Sequence, residues 1–240
     1  MGHPELSVVI PVYNEEKRIR KTLSRLIGYL ERRHNSYEAI VINDGSSDCT
    51  SGILEELTNK YQTLRLFHNS RNHGKGFAVR QGMLEAKGDF IFFTDADLST
   101  PAQEIGRFMQ IFKKHGAAIL IGSRSIPGAH IKIKQPCYRR NMGRVFNLVV
   151  KCMTPLRFQD TQCGFKAFRR EAAQKIFPRA KQNGFAFDVE ILLLAQKFGL
   201  PAEEIPVTWV NNRRSQVRPF ADSFRMFREL LEIRKIAKQS

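Results

Sequence analysis

Apolar residues in the first half of the chain fall into short runs separated by longer amphipathic stretches. Leu6-Ser7-Val8-Val9-Ile10, Ala39-Ile40-Val41-Ile42, Leu64-Arg65-Leu66-Phe67, Phe90-Ile91-Phe92-Phe93 and Ala117-Ala118-Ile119-Leu120-Ile121-Gly122 read as strands. Short apolar runs rich in β-branched and aromatic residues, bounded by turn formers, suit buried strands. Between the first two, Ile19, Leu23, Leu26, Ile27 and Leu30 recur on one helical face. Asn14 offers an N-cap and Glu15 and Glu16 a first turn, so this helix is expected to open there. A polar turn, Asn43 to Asp48, leads into a helix through Ile53, Leu54 and Leu57, and Gly74-Lys75-Gly76 opens another. Regular strand–helix alternation predicts an α/β fold around a doubly wound, mostly parallel sheet.

The second half changes character. Met142, Val145, Phe146, Val149, Val150 and Met153 form a helical stripe with Arg139, Arg140, Arg144 and Lys151 nearby. Phe220, Phe224, Phe227, Leu230 and Leu231 form another, flanked by Arg225, Arg228, Arg234, Lys235 and Lys238. Basic amphipathic helices can lie in a membrane interface or pack on a sheet with their cations solvated. Both readings stay open for the Met142 helix, whereas the terminal one is read as membrane-associating. The division expected is a catalytic domain over 1–218 and a basic amphipathic helix over 219–240.

Charge sharpens the picture. Lys and Arg number 39 against 23 Asp and Glu, for a net of +16 in 240 residues, which points to an anionic partner: nucleic acid, a phosphorylated substrate or an anionic membrane surface. Cys49, Cys137, Cys152 and Cys163 form no C-x-x-C pair, so neither a zinc site nor a disulfide framework is indicated. The first residues lack the basic-then-apolar order of a signal peptide, and no apolar stretch has the length of a spanning helix. The expectation is a cytoplasmic protein, soluble or peripheral at the membrane.

Candidate chemistry collects after the strands. Asp95 and Asp97 follow the Phe90 run one residue apart. In an open parallel sheet, ligands gather outside the carboxyl ends of the strands, and hard oxygen ligands suit Mg²⁺ or Mn²⁺ bound together with substrate phosphates. By itself Asp-x-Asp fits a pair of solvated turn aspartates better than a metal site, and it is the rest of the chain that reverses this. Pro11, Tyr13, Asn14 and Glu15 follow the first strand, Asp44 the second and Arg124 a later one, so all should converge on one edge of the sheet. The glycine fingerprint of dinucleotide folds is missing after the first strand, and Gly74-Lys75-Gly76 lacks the spacing of a Walker loop. That argues against NAD, FAD and P-loop chemistry.

Pro11-Val12-Tyr13-Asn14-Glu15, Asn43-Asp44-Gly45-Ser46, Asn72-His73-Gly74-Lys75-Gly76 and Asp95-Ala96-Asp97 together resemble the family-2 glycosyltransferases of GT-A fold, a Rossmann-like arrangement. Asp97-Leu98-Ser99-Thr100-Pro101, Gly122-Ser123-Arg124, Asp160 to Lys166 and Phe185 to Glu190 are similar to the dolichyl-phosphate β-glucosyltransferase branch, kin of the dolichyl-phosphate mannose synthases. The resemblance spans Leu6 to Arg234 and rests on the order and spacing of the motifs. It implies inverting transfer from a nucleotide sugar, UDP-glucose foremost, to a polyprenyl phosphate at the cytosolic membrane face. By the same resemblance Pro11, Tyr13, Glu15, Asp44, Lys75 and Asp95 hold the nucleotide sugar, and Asp95, Asp97 and Ser99 the metal. Arg124 and Arg139 receive the acceptor phosphate, with Asp97, Arg124 and Arg139 forming the catalytic set; Arg214 joins the acceptor-phosphate residues not by the resemblance but because Arg213, Arg214 or Arg218 can supply the charge of a lysine that the family has and this chain lacks. Asp188 and Glu190 are open to two readings, sugar contacts or helix-start carboxylates. Asp160 is read as organising its turn, Trp209 as core, and His34, His68, His73, His115 and His130 as surface residues.

One motif departs from the branch. Where a Gly-Ser-Lys element usually follows the tryptophan, this chain has Arg214-Ser215-Gln216 after Arg213. Two other functions compete with the reading. The same fold acting on a glycan or protein hydroxyl would need a catalytic base, for which Asp188 or Glu190 is available. A basic nucleic-acid-binding protein would interleave aromatics with cations on one face, but here the aromatics sit in strands and on apolar helix faces, so no nucleic acid is expected.

Overall fold

Runs that are apolar on both faces place the sheet in the middle of the molecule. The computed structural model describes residues 3–34, 36–133, 137–210 and 226–234, and for 137–141 and 144 the backbone alone. The strands are β1 (Leu6–Val12), β2 (Tyr37–Asn43), β3 (Leu64–His68), β4 (Phe90–Thr94), β5 (Ile119–Ser123), β6 (His130–Ile133), β7 (Phe165–Arg169), β8 (Ala202–Pro206) and β9 (Thr208–Val210). The helices are α1 (Ile19–Arg33), α2 (Thr50–Lys60), α3 (Lys75–Glu85), α4 (Gln103–Lys114), α5 (Cys137–Met153), α6 (Arg170–Ile176) and α7 (Phe187–Lys197), and residues 226–234 form a further helical segment. Among the described residues, none of the helices is long and apolar enough to cross a membrane.

Seven strands form one sheet in the order β3-β2-β1-β4-β7-β5-β8, and β6 pairs with β9 in a small second sheet. Alternate residues of each central strand serve opposite layers. Leu6, Val8, Ile10 and Val12 of β1, with Phe92 of β4, pack under α1 and α4. Val9, with Ile91 and Phe93, packs against α3, α6 and α7. A strand covered on both faces needs an unbroken apolar run, which is why these segments do not alternate with polar residues.

The first five strands stand as expected, and the sheet is mostly parallel. β7 is the exception: it runs antiparallel between β4 and β5, with Thr94 opposite Phe165 and Phe93 opposite Lys166. Its polar turn and its internal Lys166 hide it in the sequence. The consequence is positional. An antiparallel strand brings its beginning, not its end, to the edge where β4 and β5 finish.

α1 opens later than expected. Asn14 has φ 52, a left-handed conformation that ends β1 rather than capping a helix, and its Oδ1 accepts the N–H of Ser47 at 2.8 Å. Glu15 N–H donates to Thr50 Oγ1 and Glu16 accepts the N–H of Cys49. The acidic pair thus ties the β1 turn to the β2 turn, and the helix begins at Ile19.

Both amphipathic stripes of the second half prove two-sided. On α5, Val150 is buried and Phe146, Val149 and Met153 pack against the core, while Val145 and Leu148 are exposed. In the terminal segment Leu230 and Ile233 are fully buried and Met226 nearly so, while Phe227 and Leu231 are exposed. Leu230, expected on the membrane stripe, is a core residue; Phe220 and Phe224 lie outside the described residues.

Close packing of α3 on the sheet depends on Gly82. A Cβ there would come within 2.3 Å of Val9 Cγ1 and 3.2 Å of Ile42 Cγ1. Gly82→Ala is therefore expected to lose about 1–3 kcal/mol by overpacking, read by urea denaturation; unchanged stability would show that α3 has room to move.

Candidate active site at the carboxyl edge of the sheet

The order of the strands decides where a ligand goes. From β1 the chain moves outward to β2 and β3, then returns to β4 on the other side of β1. This reversal opens a crevice beyond β1 and β4, the place where open α/β sheets bind ligands. The turn after β1 carries Tyr13 and Glu15, the turn after β2 carries Asp44, and the turn after β4 carries Asp95 and Asp97. The edge also receives Arg124 from the end of β5 and Asp160 to Gly164 from the start of β7.

Tyr13 is exposed and Pro11 lies within β1 opposite Ile42. Glu15 pairs with Arg18. Burial raises its carboxyl above the ordinary range, with Arg18 opposing and Asp97 and Asp48 adding to the rise. Asp44 is buried and serves the loop before α3: its oxygens accept Asn69 Nδ2 at 2.9 Å, His73 N–H at 3.0 Å and Gly74 N–H at 2.8 Å. His73 is half-buried and stacks on Phe77, ring centroids 4.5 Å apart. Lys75, the first residue of α3, places its Nζ 2.6 Å from Asp95 Oδ1.

Asp97 stands two residues beyond Asp95 at the same turn. Burial first, and then the Asp95 charge, raise its carboxyl, while bonds from Ser99 oppose the shift. Ser99 is buried behind it, donating its N–H to Asp97 Oδ1 at 2.8 Å. Among the described residues, no three His, Cys, Asp or Glu side chains gather to hold a metal ion by themselves. Two mutually repelling carboxylates nevertheless fit a divalent ion whose other ligands come from substrate. Hard oxygen donors suit Mg²⁺ or Mn²⁺, and the ion would relieve the repulsion.

Arg124 and Asp160 form a bidentate pair, Nε to Oδ2 at 2.7 Å and Nη2 to Oδ1 at 2.8 Å, and the backbone N–H of Arg124 adds a third bond at 2.9 Å. The guanidinium lies over the buried Trp209 ring, 5.6 Å from its centroid. Asp160 organises its turn through this arginine. The side chain of Arg139 and the whole of Arg214 lie outside the described residues.

Asp188 and Glu190, on α7, both prove to be internal acceptors. Lys166, fully buried, donates to Asp188 and to Cys163 O, the latter at 2.7 Å. Glu190 is fully buried and accepts the N–H groups of Lys181 and Gln182 at 2.8–2.9 Å. Lys166 escaped the sequence reading, although a lysine inside Gly164-Phe165-Lys166-Ala167-Phe168 was the available sign of a buried cation.

Burial alone would raise the Asp160 carboxyl, but the charge and hydrogen bonds of Arg124 outweigh it and hold it below the ordinary range. A folded-state value below the unfolded one stabilises the fold above about pH 4 and loses that contribution as pH falls through the depressed value. Asp160→Asn is expected to cost about 2–4 kcal/mol at neutral pH, less than for a wholly buried pair because the Arg124 side chain keeps 28% exposure. The acid limb of the stability curve should also flatten. Urea denaturation over a pH series checks both, and an unchanged acid limb would deny the pair this role.

Comparison with known proteins agrees with this geometry. Residues 7–177 match the family model described as glycosyl transferase family 2. The dolichyl-phosphate β-glucosyltransferase of Homo sapiens is 37% identical over 248 residues, covering 96% of this chain and 75% of that protein. Its counterpart in Dictyostelium discoideum is 35% identical over 240 residues, covering 95% and 73%. Glucosyl-3-phosphoglycerate synthase from Mycobacterium tuberculosis, solved with Mn²⁺, UDP-glucose and phosphoglyceric acid, superposes with a TM-score of 0.74 at 17% identity, covering 97% of this chain and 80% of that one. At that identity the likeness concerns the fold, which is GT-A. Motifs, sheet order and relatives coincide: the chain belongs to glycosyl transferase family 2 and is a hexosyltransferase, similar over nearly its whole length to the dolichyl-phosphate β-glucosyltransferases.

Proposed function

We propose that the protein transfers glucose from UDP-glucose to a polyprenyl phosphate of the dolichyl type, with inversion, at the cytosolic face of a membrane. The observation that carries this is the paired Asp95 and Asp97 at the switch point, facing Lys75 across the crevice. The names of the relatives support the acceptor, and the UDP-glucose complex of the fold neighbour supports the donor.

Glu15 and Asp44 border the nucleoside side of the crevice, and Asp95 and Asp97 the diphosphate side. These two would hold Mg²⁺ or Mn²⁺, which when bound supplies charge neutralisation for the leaving diphosphate. An oxygen of the acceptor phosphate forms the new bond to the anomeric carbon while the bond to the diphosphate oxygen breaks, and its electron pair leaves with UDP. That nucleophile is ionised near neutral pH, so no side chain has to remove a proton. Among the described residues the Asp160 pair takes two of the five side-chain N–H donors of Arg124, which stands at the edge where an acceptor phosphate would approach. A hydroxyl acceptor would need a base. With Asp188 committed to Lys166 and Glu190 to two backbone amides, the geometry favours the phosphate.

The membrane part rests on the outward apolar residues, Val145 and Leu148 on α5 and Phe227 and Leu231 in the terminal segment, with exposed Arg228 and Arg234 beside the latter. Apolar insertion and attraction to anionic lipid act together in such helices.

Incubation with radiolabelled nucleotide sugars and a polyprenyl phosphate, followed by organic extraction, is expected to give a labelled lipid from UDP-glucose. Asp97→Ala or chelation should reduce that product by roughly a thousandfold, several kcal/mol of lost charge stabilisation. Label transferred only to hydroxyl acceptors, or full activity in excess chelator, would defeat the reading.

Deleting the terminal segment would also remove Leu230 and Ile233 from the core, so point variants make the cleaner membrane test. Phe227→Ser with Leu231→Ser should leave the melting temperature nearly unchanged, weaken co-sedimentation with anionic liposomes and lower its residual salt dependence little. Undiminished co-sedimentation would mean that these residues do not touch lipid.

A further inference from the structure

Lys75 stands where a cation on Asp95 has to stand. Its Nζ lies 2.6 Å from Oδ1, and the other oxygen, Oδ2, is pressed against Gly164, where an added Cβ would come within 1.9 Å of it. The carboxylate therefore has no room to swing toward β7 and away from the ammonium. A divalent ion approaching Asp95 meets a positive charge already in place.

The backbone of Lys75 is fixed as well. Gly74 has φ 108, and a Cβ there would lie 2.4 Å from Asn183 O. That same oxygen accepts the N–H of Gly76 at 2.8 Å. Only rotation of the side chain can carry the ammonium elsewhere. Besides Asp95, the acid whose charge acts most on Lys75 is Asp188, which is buried at the start of α7. Lys166 grips its Oδ1 and is itself anchored on Cys163 O. The ring of Phe187, the neighbour of Asp188 in the chain, has its centroid 5.9 Å from Lys75 Nζ and offers a π face to the cation.

We propose that Lys75 is an exchangeable counter-ion: it neutralises Asp95 until the divalent ion and the sugar diphosphate arrive together, and then moves to Asp188 and the incoming diphosphate. The inference rests on the reading of Asp95 as a metal ligand. Metal alone must drive the ammonium toward Asp188, whose charge Lys166 already answers, so it binds weakly. Metal arriving with a nucleoside diphosphate brings the negative charge that receives the lysine. The two ligands then bind as a unit, and by linkage each tightens the other by the same factor. Asp188 is a positioning residue in this scheme, acting through Lys75, and Lys166 holds it in place.

The test is Mn²⁺ binding to the full chain, followed by the electron paramagnetic resonance of the free ion, with and without UDP. Lys75→Met is expected to bind Mn²⁺ alone roughly tenfold more tightly than the wild type, and the tightening of Mn²⁺ by UDP should shrink by roughly the same factor. Asp188→Asn should weaken Mn²⁺ binding in the presence of UDP when Lys75 is present, and have no such effect in the Lys75→Met background. Simple removal of a nearby negative charge would act in both. Because Asp188→Asn strips a buried lysine of its partner, Lys166→Met/Asp188→Asn, which removes both charges, is measured alongside and carries the comparison if the single variant does not fold. An unchanged Mn²⁺ affinity in Lys75→Met, or an Asp188 effect that persists without Lys75, overturns the exchange while the metal site stands. A wild type that binds no Mn²⁺ even with UDP overturns the metal site and the exchange together.

Discussion

Carboxylates crowd the carboxyl edge of the sheet, and because they are buried or half-buried their charges have to be compensated. Asp95 meets Lys75, Asp188 meets Lys166, Asp160 meets Arg124 and Glu15 meets Arg18. Asp44 is answered instead by amide donors from the loop before α3. Uncompensated, any of these acids would cost several kcal/mol or take up a proton. Asp97 is the exception: among the described residues no cation pairs with it directly, and its carboxyl is raised by burial and by Asp95. The positive charge missing from the edge is the one a divalent ion would supply, so the electrostatics of the scaffold and the chemistry of transfer share one requirement.

The same pairs hold the site together mechanically. Lys166 reaches from β7 to α7, Arg124 from β5 to the turn before β7, and Glu190 fastens the loop at 181–182 that leads to Asn183. Asn183 O in turn receives the N-terminus of α3 and so sets the root of Lys75. From the other side Glu229, in the terminal helical segment, accepts the N–H of Ala186 at 3.1 Å, and its carboxylate lies so close to Gly184 that a Cβ there would come within 2.1 Å. The segment whose outer residues are proposed to meet the membrane is thus tied by its inner residues to the loop beside the candidate site. Its buried Leu230 and Ile233 belong to the same apolar layer as Phe93 and Val79.

Two internal acceptors bear on the reaction class. A transferase acting on a hydroxyl needs a carboxylate that is reachable and able to take a proton. Glu190 is fully buried against backbone amides, and Asp188 is nearly so against Lys166. An acceptor that arrives ionised asks only for positioning and charge, which is what the arginine at the end of β5 can offer.

Local pattern was enough for the first half of the chain. Short apolar runs gave away β1 to β5, strand–helix alternation implied the parallel sheet, and parallel strands force their following turns to one edge, so Glu15, Asp44, Asp95 and Asp97 were legible as a group from the sequence. What remained hidden depends on partners distant in sequence. β7 looked like a motif rather than a strand, because its pairing with β4 lies some seventy positions away and runs antiparallel. The start of α1 was misplaced because Asn14, Glu15 and Glu16 bond to the β2 turn instead of to their own helix. Whether Asp188 faced a substrate or a buried lysine, and whether Leu230 faced lipid or the core, could be decided only by tertiary structure. A side chain's charge and hydrophobicity are local properties, whereas the partner that satisfies them is chosen by the packing of the whole chain.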